Sequence, residues 1–81
     1  MKVEVLLFAQ ARQIAGGDTL EVEVESDCTV ADLKSAIAAA CSELENLLSR
    51  SSIALDQKYA VDVDTVEAGA EVAMIPPVSG G

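Results

Sequence analysis

The residues best suited to chemistry lie at the end of the chain, in Ile75-Pro76-Pro77-Val78-Ser79-Gly80-Gly81. Pro76 and Pro77 cannot donate to a β-ladder, so they stop a strand and hold the following segment extended. Gly80 and Gly81 have no side chain, so the tip fits a narrow channel and takes backbone angles closed to other residues. Fully extended, the four residues after Pro77 reach roughly 13–14 Å past the fold. A carboxylate at such a tip can enter another protein's active site. Being a poor electrophile, it must first be activated, most economically as an acyl-adenylate made from ATP. Attack by a sulfur nucleophile then leaves a thiocarboxylate, and attack by a lysine leaves an isopeptide bond. The plainer alternative is a frayed terminus of small residues.

Little else in the composition offers catalysis. There are no histidines, which removes the commonest general base and metal ligand. Cys28 and Cys41 do not make a secreted disulfide framework. Eighty-one residues make one domain, 1–81, with 76–81 as its tail, and leave no room for both a core and a deep pocket. That size suits a carrier, a binding module or a subunit. Fourteen acidic against five basic residues give a net charge of -9. This field disfavours nucleic acid and anionic membranes. It favours partners with a basic groove, or it simply keeps a small protein soluble. No apolar run approaches the eighteen or so residues of a membrane span. With no signal peptide evident, a cytoplasmic location is expected.

The elements that would carry the tail follow from periodicity. Residues 2–8 alternate as a strand with Val3, Val5 and Leu7 inward, although its second half is apolar on both faces. Residues 9–15 form a short helical turn closed by Gly16-Gly17-Asp18, and Leu20 to Glu25 alternates strictly as a second strand. Thr29 and Asp32 mark a helix start. Val30, Leu33, Ile37, Cys41 and Leu44 then repeat at three- and four-residue spacing, which places Cys41 in the core as a small hydrophobe. The helix is expected to end between Cys41 and Asn46, with Leu47-Leu48 closing the core. Ser52 to Leu55, Tyr59 to Val61 and Glu71 to Ile75 complete the strands, separated by turns at 56–58 and 66–70.

The order predicts an α+β, β-grasp (ubiquitin-like) domain, with a mixed four- to five-stranded sheet packed on one main helix. The first and last strands should be parallel neighbours at its centre. If Val72 and Met74 face inward, Ala73 and Ile75 face outward beside Leu6 and Phe8. These four make an apolar patch at the root of the tail, open to a partner unless residues 9–15 or 47–61 cover it. Phe8 is the only phenylalanine and the natural anchor.

On these residues the chain resembles the small, ubiquitin-like subunits of molybdopterin synthase. The likeness runs through Leu7-Phe8-Ala9-Gln10-Ala11-Arg12, Thr29-Val30-Ala31-Asp32-Leu33, Ala54-Leu55-Asp56-Gln57-Lys58-Tyr59 and Ala70-Glu71-Val72-Ala73, and ends in the tail. The resemblance implies a non-catalytic sulfur carrier that itself binds no cofactor or metal. An adenylyltransferase/sulfurtransferase activating enzyme would use ATP and Mg to adenylate Gly81 and turn it into a thiocarboxylate. The tail (Pro76, Pro77, Val78, Ser79, Gly80) would give access. Sulfur would pass to cyclic pyranopterin monophosphate on the large subunit, which holds the catalytic side chains, within a heterotetramer. Phe8 and Ile75 match apolar contact positions of the family. Met74-Ile75 stands where some members have aromatics, Asp56 where asparagine is frequent, and Arg12 at a frequent basic position. A sulfur carrier for thiamine synthesis, a modifier of lysines and a noncovalent module remain alternatives on the same residues.

Overall fold

The computed structural model describes residues 1–77. Elements follow in the order β1 (Lys2–Leu7), α1 (Ala9–Ala15), β2 (Thr19–Glu23), α2 (Val30–Ala40), a 3-10 turn (Ser42–Leu44), α3 (Glu45–Leu48), β3 (Ser52–Leu55), β4 (Lys58–Ala60) and β5 (Val72–Ile75). The five strands form one sheet in the order β2-β1-β5-β3-β4. β1 and β5 are parallel, and the other pairs are antiparallel. The expected α+β, ubiquitin-like arrangement is therefore the observed one, with β5 at the centre.

Register decides which side chains meet. Leu7, Met74, Ile53 and Ala60 align across four strands, and Val5, Val72 and Leu55 form the next row, with Leu20 opposite Val5. These rows face α2, whose Val30, Leu33 and Ile37 are fully buried against them. Leu44, Leu47 and Leu48 close one end of the core. A sheet whose alternate residues meet a single helical stripe buries the apolar half of each strand and leaves the other half to solvent.

Local chemistry sets the boundaries. The N–H of Asp32 donates to Thr29 Oγ1 at 3.3 Å, and the N–H of Thr29 donates back to Asp32 Oδ2 at 3.1 Å. This capping box satisfies two orphan donors of α2, and a capping side chain is worth about 1 kcal/mol. The first turn is pinned again from outside, where the N–H groups of Val30 and Ala31 donate to the carbonyls of Asp64 and Asp62. Lys34 Nζ reaches Asp62 Oδ1 at 2.8 Å. Gly16, at φ 79°, is the left-handed C-cap of α1.

Three expectations require correction. α2 ends at Ala40, before the interval Cys41 to Asn46, because Cys41 turns extended (φ -145°, ψ 90°) and starts the 3-10 turn. For the same reason Cys41 is only half-buried and packs at the margin of the core; the deeply buried thiol is Cys28. The second strand stops at Glu23, although the N–H of Val24 still donates to the Met1 carbonyl and prolongs the hairpin. Among the described residues, no helix is long and apolar enough to cross a membrane.

Candidate docking site

The candidate site is built on the face of the sheet that α2 leaves uncovered. Leu6 pairs with Ala73, Ala73 with Ala54, and Ala54 with Tyr59, so four strands contribute one row to this face. In the next row Ile75 pairs with Ser52, and Phe8 stands one residue beyond the Leu7–Met74 pair. Together Leu6, Phe8, Ala54, Tyr59, Ala73 and Ile75 line a groove of about 380 Å³, with Gln57 and Glu71 at its border.

All four of the expected patch residues are thus brought together, but not with equal exposure. Phe8 is 46% exposed and Leu6 and Ile75 are half-buried. Ala73, expected to be an open surface residue, is buried at 8%. The cause is its position on the central strand: its methyl lies between Leu6 on β1 and the equally short Ala54 on β3, and the two alanines form the floor. Residues 47–61 do not cover the patch. Instead, β4 raises Tyr59, 76% exposed, as the wall facing Phe8 across the sheet order.

Tyr59 is the functional candidate that sequence reasoning missed. β3 and β4 are joined by only Asp56 and Gln57, one residue fewer than the expected turn at 56–58, so Ala54 and Tyr59 share a face, and no glycine in the sequence marks that reversal. Both turn residues have positive φ (51° and 70°), as a tight two-residue reversal demands. Asp56 does more than tolerate that conformation. Its Oδ1 accepts the N–H of Glu71 at 2.9 Å, while its own N–H donates to the Glu71 carbonyl at 2.8 Å. The side chain therefore ties the hairpin to the start of β5, a structural role for the position left unassigned from sequence. Arg12 also has a local partner: its Nη1 lies 3.5 Å from Asp18 Oδ1, with both groups largely exposed.

The border of the groove is anionic. Glu4 stands directly opposite Glu21, and Glu71 lies one residue before the Val5–Val72 pair on the same face as Glu4. Among the described residues, only Lys2, with Nζ 4.0 Å from Glu21, pairs with this row. A second concavity, of about 520 Å³, lies between Met1, the end of β2 and the start of α2, bordered by Glu23, Glu25 and Asp32. It includes Cys28, whose thiol is pushed up from its ordinary pKa by burial and by the nearby Asp32 carboxylate. A thiol so held is mostly protonated near neutrality and is a weak nucleophile. Among the described residues, no cluster of side chains could hold a metal ion.

Pro76 and Pro77 follow β5 directly, so the tail leaves from the same central strand that floors the groove. Val78, Ser79, Gly80 and Gly81 lie outside the described residues. What the described part presents is an apolar recess at the root of that segment.

Three comparisons place this geometry among known proteins. The chain is 36% identical to a molybdopterin synthase sulfur carrier subunit of Chlamydomonas reinhardtii, over all of both chains. It superimposes on SAMP1 from Haloferax volcanii with a TM-score of 0.88 and 31% identity, again over all of both chains. At 23% identity it shares its fold with a chain in a complex of subunits 1 and 2 of molybdopterin-converting factor from Helicobacter pylori, with a TM-score of 0.69 and full coverage of both. The model of the ThiS family matches residues 5–81. With that match spanning nearly its entire length and relatives end to end, the chain belongs to the ThiS family, among the ubiquitin-like relatives of molybdopterin synthase sulfur carrier subunits.

Proposed function

We propose that this chain is the sulfur carrier of molybdopterin synthase, with Gly81 as the group that carries sulfur. The observation that carries the reading is the apolar groove of Leu6, Phe8, Tyr59, Ala73 and Ile75 at the root of the Pro76-Pro77-Val78-Ser79-Gly80-Gly81 segment. It stands in a chain 36% identical over its full length to a sulfur carrier subunit. The groove docks on an activating enzyme in one half of the cycle and on the large synthase subunit in the other.

In the first half the Gly81 carboxylate attacks the α-phosphate of ATP on the activating enzyme, and pyrophosphate leaves. Mg²⁺ and ATP belong to that enzyme's site. A persulfide-type donor then attacks the acyl-adenylate carbon and AMP departs. A thiolate then attacks the donor sulfur of the acyl disulfide, a new disulfide forms on the donor, and the Gly81 thiocarboxylate leaves. In the second half the thiocarboxylate sulfur bonds to a side-chain carbon of cyclic pyranopterin monophosphate as a C–O bond at that carbon breaks and its oxygen leaves. Water then hydrolyses the resulting thioester and returns Gly81 as a carboxylate. Two deliveries make one dithiolene. The reaction takes place in the cytoplasm, within a heterotetramer whose large subunits provide the catalytic side chains.

The test is incubation of the full chain with the activating enzyme, ATP, Mg²⁺ and a sulfur donor, read by intact mass. The expected product gains the mass of sulfur replacing oxygen, and a chain lacking Gly81 gains nothing. Full transfer by the truncated chain would refute the assignment. The likeness to SAMP1, a protein named a small archaeal modifier, supports a second reading as a lysine modifier. Recovery of the chain only as branched conjugates would favour that chemistry. The ThiS match supports carriage of sulfur for thiamine as a third. Replacement of a thiamine carrier in a genetic swap, without binding to the large synthase subunit, would favour it.

A further inference from the structure

The place of the Phe8 ring depends on the residue that follows it. Phe8 is extended, at φ -129° and ψ 156°, which continues β1 and turns the ring to the face opposite Leu7. Ala9 then takes φ 49°, in the left-handed region that glycine enters freely and that opposes a Cβ. Among the described residues, the other non-glycine positions with positive φ are Asp27, Asp56 and Gln57. Asp27 lies in the turn before Cys28, and Asp56 and Gln57 make the β3–β4 turn, where such angles are required. Ala9 instead joins a strand to a helix, and its methyl is exposed, so burial does not account for alanine in place of glycine.

Strain of this kind persists where the surroundings over-determine it, and it gathers at functional positions. Here the surroundings are visible. The N–H of Leu7 donates to the Asp18 carbonyl at 2.8 Å, fixing the chain before Phe8. The Phe8 carbonyl accepts the N–H of Ala11 at 3.0 Å and that of Arg12 at 3.5 Å, fixing it after. Ala9 follows the Phe8 carbonyl and lies inside the turn that the Ala11 and Arg12 amides close on it, so its angles decide whether that turn can close and hold the Phe8 end of β1. Glycine could adopt the same angles without strain, but it would also visit others. Phe8 would then lose freedom only when a partner covered it, and that ordering weakens binding.

We propose that Ala9 is a positioning residue: its left-handed turn, narrowed by its Cβ, holds the Phe8 ring upright in the groove before any partner arrives. The inference rests on the reading of the groove as a docking surface, and the experiment separates the two. Full-length Phe8→Ala, Ala9→Gly and Ala9→Asn chains are titrated calorimetrically against the large subunit of molybdopterin synthase. Thermal melts and amide exchange at Ala11 and Arg12 are measured on the free chains. Ala9→Gly is expected to melt no lower than the parent, to exchange faster at both amides, and to raise Kd about fivefold. Ala9→Asn keeps a Cβ and tolerates the left-handed region, so its Kd should stay within about twofold of the parent. Unchanged exchange and Kd in Ala9→Gly, while Phe8→Ala still weakens binding, would overturn the positioning role. So would a lower melting temperature for Ala9→Gly, or equal loss of affinity in Ala9→Asn. No effect of Phe8→Ala would instead overturn the docking reading itself.

Discussion

Phe8→Ala should weaken partner binding more than it weakens folding. The residue is 46% exposed, and a phenylalanine offers about 200 Å² in all, so about 90 Å² of mostly ring surface awaits a partner. At about 25 cal/mol per Å² that area is worth about 2 kcal/mol, or some thirtyfold in Kd. The part already covered in the free chain is of similar size, but much of it is backbone and Cβ, which alanine keeps. The site also opens to solvent, so truncation leaves no closed cavity and adds no cavity term. Folding should therefore lose only about 1 kcal/mol. Calorimetric titration with the large subunit of molybdopterin synthase measures the first quantity, and urea melts measure the second. A stability loss of about 3 kcal/mol or more with an unchanged Kd would refute the reasoning, because that is the behaviour of a core phenylalanine.

Two further outcomes follow from particular contacts. Asp56→Ala removes the acceptor for the Glu71 N–H and leaves alanine at φ 51°, so a urea melt should show a loss of about 1–2 kcal/mol; Asp56→Asn retains both features and should recover most of it. Cys28, with its pKa raised by burial and then by Asp32, should react with a thiol reagent far more slowly than half-buried Cys41 at pH 8. The raised folded-state value also fixes a sign: the stabilisation is complete below the ordinary thiol range and is lost as pH rises through the folded pKa. Stability of the parent should therefore fall above about pH 8.5–9 relative to Cys28→Ala. Equal labelling rates for the two thiols, or parallel pH profiles, would contradict this.

The fold was legible because the start of the first strand and all of the second alternate and the helix carries an apolar stripe. Val3, Val5 and Leu7 against Val72 and Met74 could face only one way, and a one-residue slip would have put Leu6 and Phe8 into the core. What was not legible depended on backbone angles without a side-chain signature. Asp56-Gln57 lacks the glycine that usually announces a two-residue hairpin turn, so the register that carries Tyr59 to the open face was not apparent. Cys41 continued the apolar spacing of α2, and the helix nevertheless stopped at Ala40 because the chain tightens into a 3-10 turn to bring Leu44, Leu47 and Leu48 over the core. Ala9 offered no clue at all, since alanine carries none of the side-chain signals that glycine, asparagine or aspartate give at positive φ.

The topology explains why the groove and the tail coincide. β5 is the central strand, so its alternate side chains have two separate tasks: Val72 and Met74 complete the core, while Ala73 and Ile75 form the open face. The strand is flanked by β1 on one side and β3 on the other, and the chain can leave it only along the strand axis. Pro76 and Pro77 then prevent the ladder from extending and keep the exit straight. Any partner that covers the row from Phe8 to Tyr59 therefore lies over the point from which the tail departs. On the proposed reading, docking on this face supplies affinity and brings the partner over that exit, so loss of the Phe8 anchor is expected to lower partner binding and sulfur transfer together.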